Sequence, residues 1–304
     1  MILSTARDLV ECVPNVSEGR RSDVIAEIGE AAASVPEVRL LDVHSDHDHH
    51  RSVYTLVGPS EPLGEAAFRL ARAAVARIDM ESHHGVHPRM GALDVLPFVP
   101  LGATPMQSCI DLAHRVGRQL ADGLALPVYF YGEAALRPER RMLVDIRRGE
   151  YEGLRATVGS DPAREPDAGP SSVGPAGACA VGARKPLVAF NMHLRTANIG
   201  IARTIAGAVR ASSGGLPGVQ ALGLPTSRPD IVQISMNLTD LDATPLHAIA
   251  LAVRGEAERL GVELAESELV GLLPLSATLE ASAAILGLPA LGASQVIELA
   301  MQET

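Results

Sequence analysis

Val219-Gln-Ala-Leu-Gly-Leu224 and Ile231-Val-Gln-Ile-Ser-Met-Asn-Leu238 are two strand-like runs, rich in aliphatic and β-branched residues, and their neighbours decide the architecture. Before them, Pro186–Met192 reads as a strand and 197–211 as a helix ending at Gly214-Gly215. After them, 245–260 reads as a helix and 262–272 as extended chain. The order is βαββαβ, the split βαβ unit. The N-terminal half repeats it. A strand over 9–14 precedes a helix near 21–34, then strands Val38–Val43 and Ser52–Val57. Residues 61–79 carry Leu63, Ala66, Leu70, Ala74 and Ile78 at helical spacing, and Leu93–Leu101 follows as a buried strand. A helix over 104–121, a strand over Pro127–Tyr131 and a helix after Pro138 extend this half. No sequence repeat accompanies the repeated element order. The expectation is an α/β (α+β) chain of two similar subdomains, 1–180 and 181–304. Each is a sheet with helices on one face, and the bare sheet faces look at each other across a cleft.

A chain of 304 residues accommodates two such cores, and 47% apolar with 20% charged residues is an ordinary soluble composition. The formal charge of −10 argues against broad nucleic-acid or membrane-surface binding, which needs a basic face. Cysteines 12, 109 and 179 make neither a disulfide framework nor a zinc signature and suit a reducing cytoplasm. The N-terminus reaches Asp8 too early for a signal peptide, and no uncharged apolar run approaches the ~18 residues of a membrane span. A cytoplasmic protein is expected.

Seven of the ten histidines lie between positions 44 and 87, in two bursts: His44, His47, His49 and His50, then His83, His84 and His87. Acid–base chemistry, metal binding and a solvated loop all remain open on these residues. His83 and His87 have the spacing of a helical metal pair, but Gly85 between them and Pro88 after them make a helix poor there. General acid–base work needs one histidine on a rigid backbone, and Pro88 restricts residue 87 toward extended conformations. Asp94 is placed to orient an imidazole and Arg89 to hold an anionic group.

From 158 to 180 prolines and glycines exclude a helix or a central strand, leaving an interdomain linker or a ligand-binding loop. Asn15, Asn191 and Asn237 sit at strand ends, where amides either close strands or face ligands. No phosphate loop, dinucleotide fingerprint or Gly-x-Ser-x-Gly elbow occurs.

Several segments together resemble the formiminotransferase domain of the glutamate formiminotransferase family. They include Glu11-Cys-Val-Pro-Asn-Val-Ser-Glu-Gly19, His87-Pro-Arg-Met-Gly-Ala-Leu-Asp94, Pro127-Val-Tyr-Phe-Tyr-Gly-Glu-Ala134 and Arg148-Gly-Glu-Tyr-Glu152. Gly169-Pro-Ser-Ser172, Gly182-Ala-Arg-Lys185, Ala189-Phe-Asn191, Gln233–Leu238 and Glu268–Pro274 belong to the same set. The likeness runs from about residue 9 to 290 and leaves no room in this sequence for the cyclodeaminase domain that some members carry. It implies transfer of the formimino group from N-formimino-L-glutamate to N5 of tetrahydrofolate, a step of histidine degradation and one-carbon metabolism. It also implies two subdomains around a substrate tunnel, and a homodimer.

Within the resemblance, His87 is the catalytic histidine, tetrahydrofolate is the co-substrate and no metal is required. The folate-contacting loop matches Gly169, Pro170, Ser171, Ser172, Val173, Gly174, Pro175, Ala176 and Gly177. Candidate substrate contacts are Asn15, Asp42, His44, Arg51, Arg89, Asp94, Arg184, Asn191 and Asn237. This chain has His44 and Val86 where some members place acids, and its loop is one residue shorter. Loss of two acids beside His87 removes partners for a cationic amidine, which admits another one-carbon donor, 5-formyltetrahydrofolate chemistry, or folate binding without catalysis.

Overall fold

The computed structural model describes residues 8–85 and 88–301. In the first unit β1 (Leu9–Cys12) and β2 (Asn15–Val16) are two pieces of one strand, because Pro14 has no N–H to give the ladder. α1 (Ser22–Ala33) follows, then β3 (Arg39–Asp46), β4 (Arg51–Pro59), α2 (Ser60–Arg77) and β5 (Leu93–Pro100). Both pieces of the first strand pair antiparallel with β4 on one side and β5 on the other, and β3 pairs antiparallel with β4. Next come α3 (Met106–Leu124) and β6 (Val128–Gly132), then the short helices α4 (Leu143–Ile146) and α5 (Glu150–Thr157). The helix expected after Pro138 is thus a 3₁₀ turn over Pro138–Arg140 followed by these two pieces. β7 (Cys179–Ala183) inserts parallel between β5 and β6 and completes seven strands.

Pairing alternation sends Tyr54 and Leu56 toward the helices, where the Tyr54 hydroxyl donates to the Ile25 carbonyl of α1 at 2.9 Å. Val24, Ile28 and Ala32 of α1, with Leu63, Ala67, Leu70 and Ala74 of α2, form the buried stripes that meet them. α3 lies on the same side. His114 in it stands edge-on to Phe130 with centroids 4.7 Å apart, and its Nε2 donates to the Ala134 carbonyl at 2.8 Å.

The second unit holds β8 (Val188–Arg195), α6 (Ile199–Val209), β9 (Val219–Pro225), β10 (Ile231–Leu238), α7 (Leu246–Arg259) and β11 (Leu264–Val270). The Asn198 side chain caps α6 by accepting from the Gly200 N–H at 2.9 Å. The sheet order β11-β8-β10-β9 is wholly antiparallel and repeats that of β5, β1/β2, β4 and β3 in the first unit. The two βαββαβ readings are therefore one topology used twice, with β6 and β7 added to the first copy. Val188, Met192, Leu194, Val232, Ile234 and Met236 form the second core with α6 and α7. A further helix, α8 (Leu275–Leu286), carries no element expectation from the sequence.

The units divide between Arg184 and Lys185, past the boundary expected at 180, since β7 is an interior strand of the first sheet. The Gly/Pro stretch is accordingly not an interdomain linker. It stays within the first unit, tied to β6 by the Asp167 N–H donating to the Val128 carbonyl and the Val128 N–H to the Ala168 carbonyl, at 2.8 and 2.9 Å. Among the described residues no helix is long and apolar enough to cross a membrane.

Candidate active site

Strand register gathers several candidates on the face of the first sheet opposite the helices. Asn15 pairs with Val53 and Val95, His44 with Val53, Asp42 with Thr55, and Asp46 with Arg51. Directly paired residues project to the same side, so Asn15, Asp42, His44 and Arg51 share one face. An irregularity between Leu40 and Asp42 sets this phase. The Asn15 amide donates to the Val13 carbonyl at 3.0 Å and braces the strand break. Arg184, just past β7, acts electrostatically on Glu11 and donates to the buried Tyr131 hydroxyl.

Two segments meet at the start of β5. The Ala92 N–H donates to the Ala176 carbonyl at 2.8 Å, and the Ala178 N–H to the Met90 carbonyl at 2.9 Å. Residues 90–92 and 176–178, far apart in sequence, thus lie against each other. Contact this close requires glycine on both sides. A Cβ on Gly91 would stand 2.1 Å from the Ala178 oxygen, and one on Gly177, whose φ is +75°, 2.3 Å from the Met90 oxygen. The Met80 N–H fastens the same loop through the Pro175 carbonyl at 2.8 Å. Val173 and Gly177 are buried while Ser171, Ser172, Gly174 and Pro175 are exposed, with Gly169 and Pro170 leading in.

Arg89 braces this junction. Its guanidinium donates to Glu150 at 3.0 Å, to both oxygens of Glu152 at 2.6 and 2.8 Å, and to the His83 carbonyl at 3.2 Å. The hydrogen bonds from Arg89 hold the Glu152 carboxyl at about 2. An arginine read as a holder of substrate anions is therefore engaged with protein carboxylates. Its carbonyl accepts from the Tyr151 N–H at 2.9 Å, and the Tyr151 hydroxyl reaches the Gly174 carbonyl at 3.4 Å. Glu150, at φ +55°, keeps a backbone conformation that non-glycine residues adopt at a cost of about 1–3 kcal/mol. Asp94 is buried and accepts from the Met90 N–H at 2.8 Å and from Arg147.

The histidine bursts, 33 residues apart at their closest pairing, meet in space. The His50 and His83 rings stack at 4.2 Å with planes 13° apart. His83 Nε2 donates to the His50 carbonyl at 3.1 Å, which leaves its Nδ1 to face the Arg89 Nε–H at 3.4 Å. Burial pushes the His83 imidazole below its usual range, reinforced by the charges of His50 and Arg89 over the opposing bond to the His50 carbonyl. His50 Nδ1 donates to the His84 carbonyl at 3.0 Å, and its Nε2 lies 3.3 Å from Glu18. Burial alone would raise Glu18, but the N–H groups of Arg21 and Arg20 and the Arg21 guanidinium outweigh it and hold the carboxyl low. His49 pairs with Asp46 at 2.6 Å, and His47 is exposed. Among the described residues no three His, Cys, Asp or Glu side chains converge on a metal position. His87 and Val86 lie outside the described residues. The stacking of the two bursts, and the parts played by Glu18, Arg147, Glu150 and Glu152, escaped the sequence reading.

In the second unit, Asn191 and Asn237 lie on the sheet face opposite α6 and α7, by register with Ser235 and Ala189. Asn191, buried, donates to Glu268 at 3.0 Å, and His193 Nε2 meets Gln233 Oε1 at 3.2 Å. Asn237 is exposed.

The doubled fold, with a glycine-locked loop held against residues 90–92, is an α/β domain built from one topology used twice. Residues 9–184 match the formiminotransferase domain, N-terminal subdomain, and residues 189–300 match the formiminotransferase domain. The chain belongs to the formiminotransferase family. It is 45% identical to a glutamate formimidoyltransferase of Thermoplasma acidophilum, over 97% of this chain and 98% of that one. Identity to a glutamate formimidoyltransferase of Streptococcus pyogenes serotype M1 is 42%, covering 90% and 91% respectively. A formimidoyltransferase-cyclodeaminase of Sus scrofa is 43% identical over 90% of this chain, which spans 52% of that longer protein.

Proposed function

We propose that this chain is a folate-dependent formimidoyltransferase, moving the formimino group of N-formimino-L-glutamate to N5 of tetrahydrofolate with His87 as general acid and base. The observation that carries the reading is the backbone junction of 90–92 with 176–178, which joins the candidate folate loop to the segment continuing from His87. The names of two relatives, both glutamate formimidoyltransferases, support the formimino-glutamate half of the reading.

N5 attacks the amidine carbon and forms a tetrahedral intermediate. One imidazole removes the N5 proton and returns it to the glutamate nitrogen as the C–N bond breaks, so L-glutamate leaves and no other reactant is consumed. Such a residue contributes about 10²–10⁴ in rate. Asn15, Asp42, His44, Arg51 and Arg184 on the polar strand face are the candidate contacts to the donor and the pterin. The reading takes the enzyme as a cytoplasmic homodimer acting on small molecules, without metal, nucleic-acid or membrane partners.

Purified protein mixed with tetrahydrofolate and formiminoglutamate should form 5-formiminotetrahydrofolate. His87→Ala should abolish turnover and keep tetrahydrofolate binding. Binding by the wild-type protein with no turnover on any donor would point to a folate-binding protein. Turnover only with 5-formyltetrahydrofolate would assign a different reaction.

A further inference from the structure

Arg89 stands two residues after His87, and three consecutive residues of α5 hold it by backbone and side chain alike. Its N–H donates to Glu150 at 3.4 Å, and its carbonyl accepts from the Tyr151 N–H at 2.9 Å. Its guanidinium, only 8% exposed, lies 3.0 Å from the same Glu150 oxygen and grips both oxygens of Glu152 at 2.6 and 2.8 Å. Glu150 and Glu152 themselves are 42% and 63% exposed, and ion pairs with one partner in water add little to stability. The turn that delivers them is strained. Gly149 at φ +83° and Glu150 at φ +55° are consecutive left-handed residues, and the second lacks glycine's freedom. For folding alone, glycine would suit position 150 better, yet it would lose the carboxylate. Strain of this kind persists where the surroundings over-determine it, and it gathers at functional sites.

The chemistry proposed for His87 is sensitive to placement. An imidazole that takes the N5 proton and returns it to a departing nitrogen must come within hydrogen-bond reach of both. A misplacement of about 1 Å costs such a step about a hundredfold. A residue fixed at its N–H, its carbonyl and its guanidinium keeps little freedom, and the chain on either side inherits that restraint. We propose that Glu150 and Glu152 are positioning residues for His87, acting through Arg89. This rests on the transferase reading. Both carboxylates act on Arg89, and neither is assigned a contact with substrate or a proton to move.

Steady-state formation of 5-formiminotetrahydrofolate, thermal unfolding and amide hydrogen exchange at Arg89 to Ala92 test this on the wild type, Glu150→Gly, Glu152→Gln and Glu152→Asp. Glu150→Gly relieves the left-handed strain, so its unfolding midpoint should stay within about 3 °C of the wild type. Its kcat should nonetheless fall about tenfold or more, with KM for both substrates within about twofold and faster exchange at Arg89 to Ala92. Glu152→Gln should behave alike, and Glu152→Asp, which restores the charge, should recover part of the lost kcat. Should Glu150→Gly not fold, the Glu152 pair carries the comparison. Unchanged kcat in Glu150→Gly and Glu152→Gln overturns the proposal. So does a loss that only tracks the fraction of folded protein, or a raised KM at full kcat, which would make Arg89 a holder of substrate. No transfer by the wild type would refute the transferase reading, and exchange would then decide the clamp alone. Faster exchange in the variants would keep Glu150 and Glu152 as the anchors of this segment, and unchanged exchange would remove them.

Discussion

His83 shows how a histidine beside the proposed site serves as a structural brace. Its Nε2 proton is committed to the His50 carbonyl, its ring is stacked on His50, and Arg89 faces its lone pair. It is therefore a neutral brace, anchoring the residues before 86 to the β3–β4 turn while Arg89 anchors those after 87. Replacing it by phenylalanine keeps the stack but strips the His50 carbonyl of its donor, a loss of about 1–3 kcal/mol. The pH dependence has a definite sign. An unfolded histidine titrates near 6.5, whereas burial lowers His83 in the folded protein, so below that value the unfolded chain binds the extra proton. The stability His83 contributes is thus present above about pH 6.5 and is lost as pH falls toward its folded value. Thermal unfolding from pH 8 to 5 should show a shallower acid decline in His83→Phe than in the wild type. An identical decline would mean that His83 protonates freely in the folded protein.

The glycine junction makes a sharper claim about how loop and strand cooperate. Gly177→Ala puts a methyl group 2.3 Å from the Met90 oxygen in a left-handed conformation that by itself costs about 1–2 kcal/mol. The loop must then leave residues 90–92. Tetrahydrofolate affinity should fall more than tenfold for a loss of about 2 kcal/mol or more at this contact, while denaturant unfolding stays cooperative. Retained affinity would separate the loop from folate. The elements on either side of the junction were legible in the sequence, because helical spacing at 63–78 and β-branched runs such as 52–57 report burial directly. The junction itself was not. Composition left 158–180 open between linker and ligand loop, and only the resemblance favoured the loop. What excludes the linker is a pair of backbone hydrogen bonds between residues 84 or more positions apart, which no local pattern encodes. The meeting of the histidine bursts was hidden for the same reason. It depends on the β3–β4 turn folding back against Gly85, whose Cβ would lie 2.6 Å from the His49 oxygen.

The chain folds one topology twice, yet its two copies differ in reserve. The first copy is widened by β6 and β7, and its core runs unbroken from Val10 to Ala183. The second has four strands, two helices packed on one face, and a smaller separate core around Ile234 and Val253. Element order in the sequence revealed the repeat. Strand order, and the parallel insertion of β7, depend on long-range pairing and were not readable there. Because the cores are distinct clusters, a cavity in one removes contacts from that one alone. Ile234, fully buried at the centre of β10, loses several methyl groups on replacement by alanine, a cost of about 2–5 kcal/mol. For the smaller core that is a large share of its stability. Calorimetry of the full chain should resolve two transitions, with Ile234→Ala lowering one while the other stays within about 2 °C, as additivity between distant sites predicts. Leu96→Ala, fully buried in the first core, should move the opposite transition. A single endotherm that shifts equally for both substitutions would show instead that the two copies unfold as one cooperative unit.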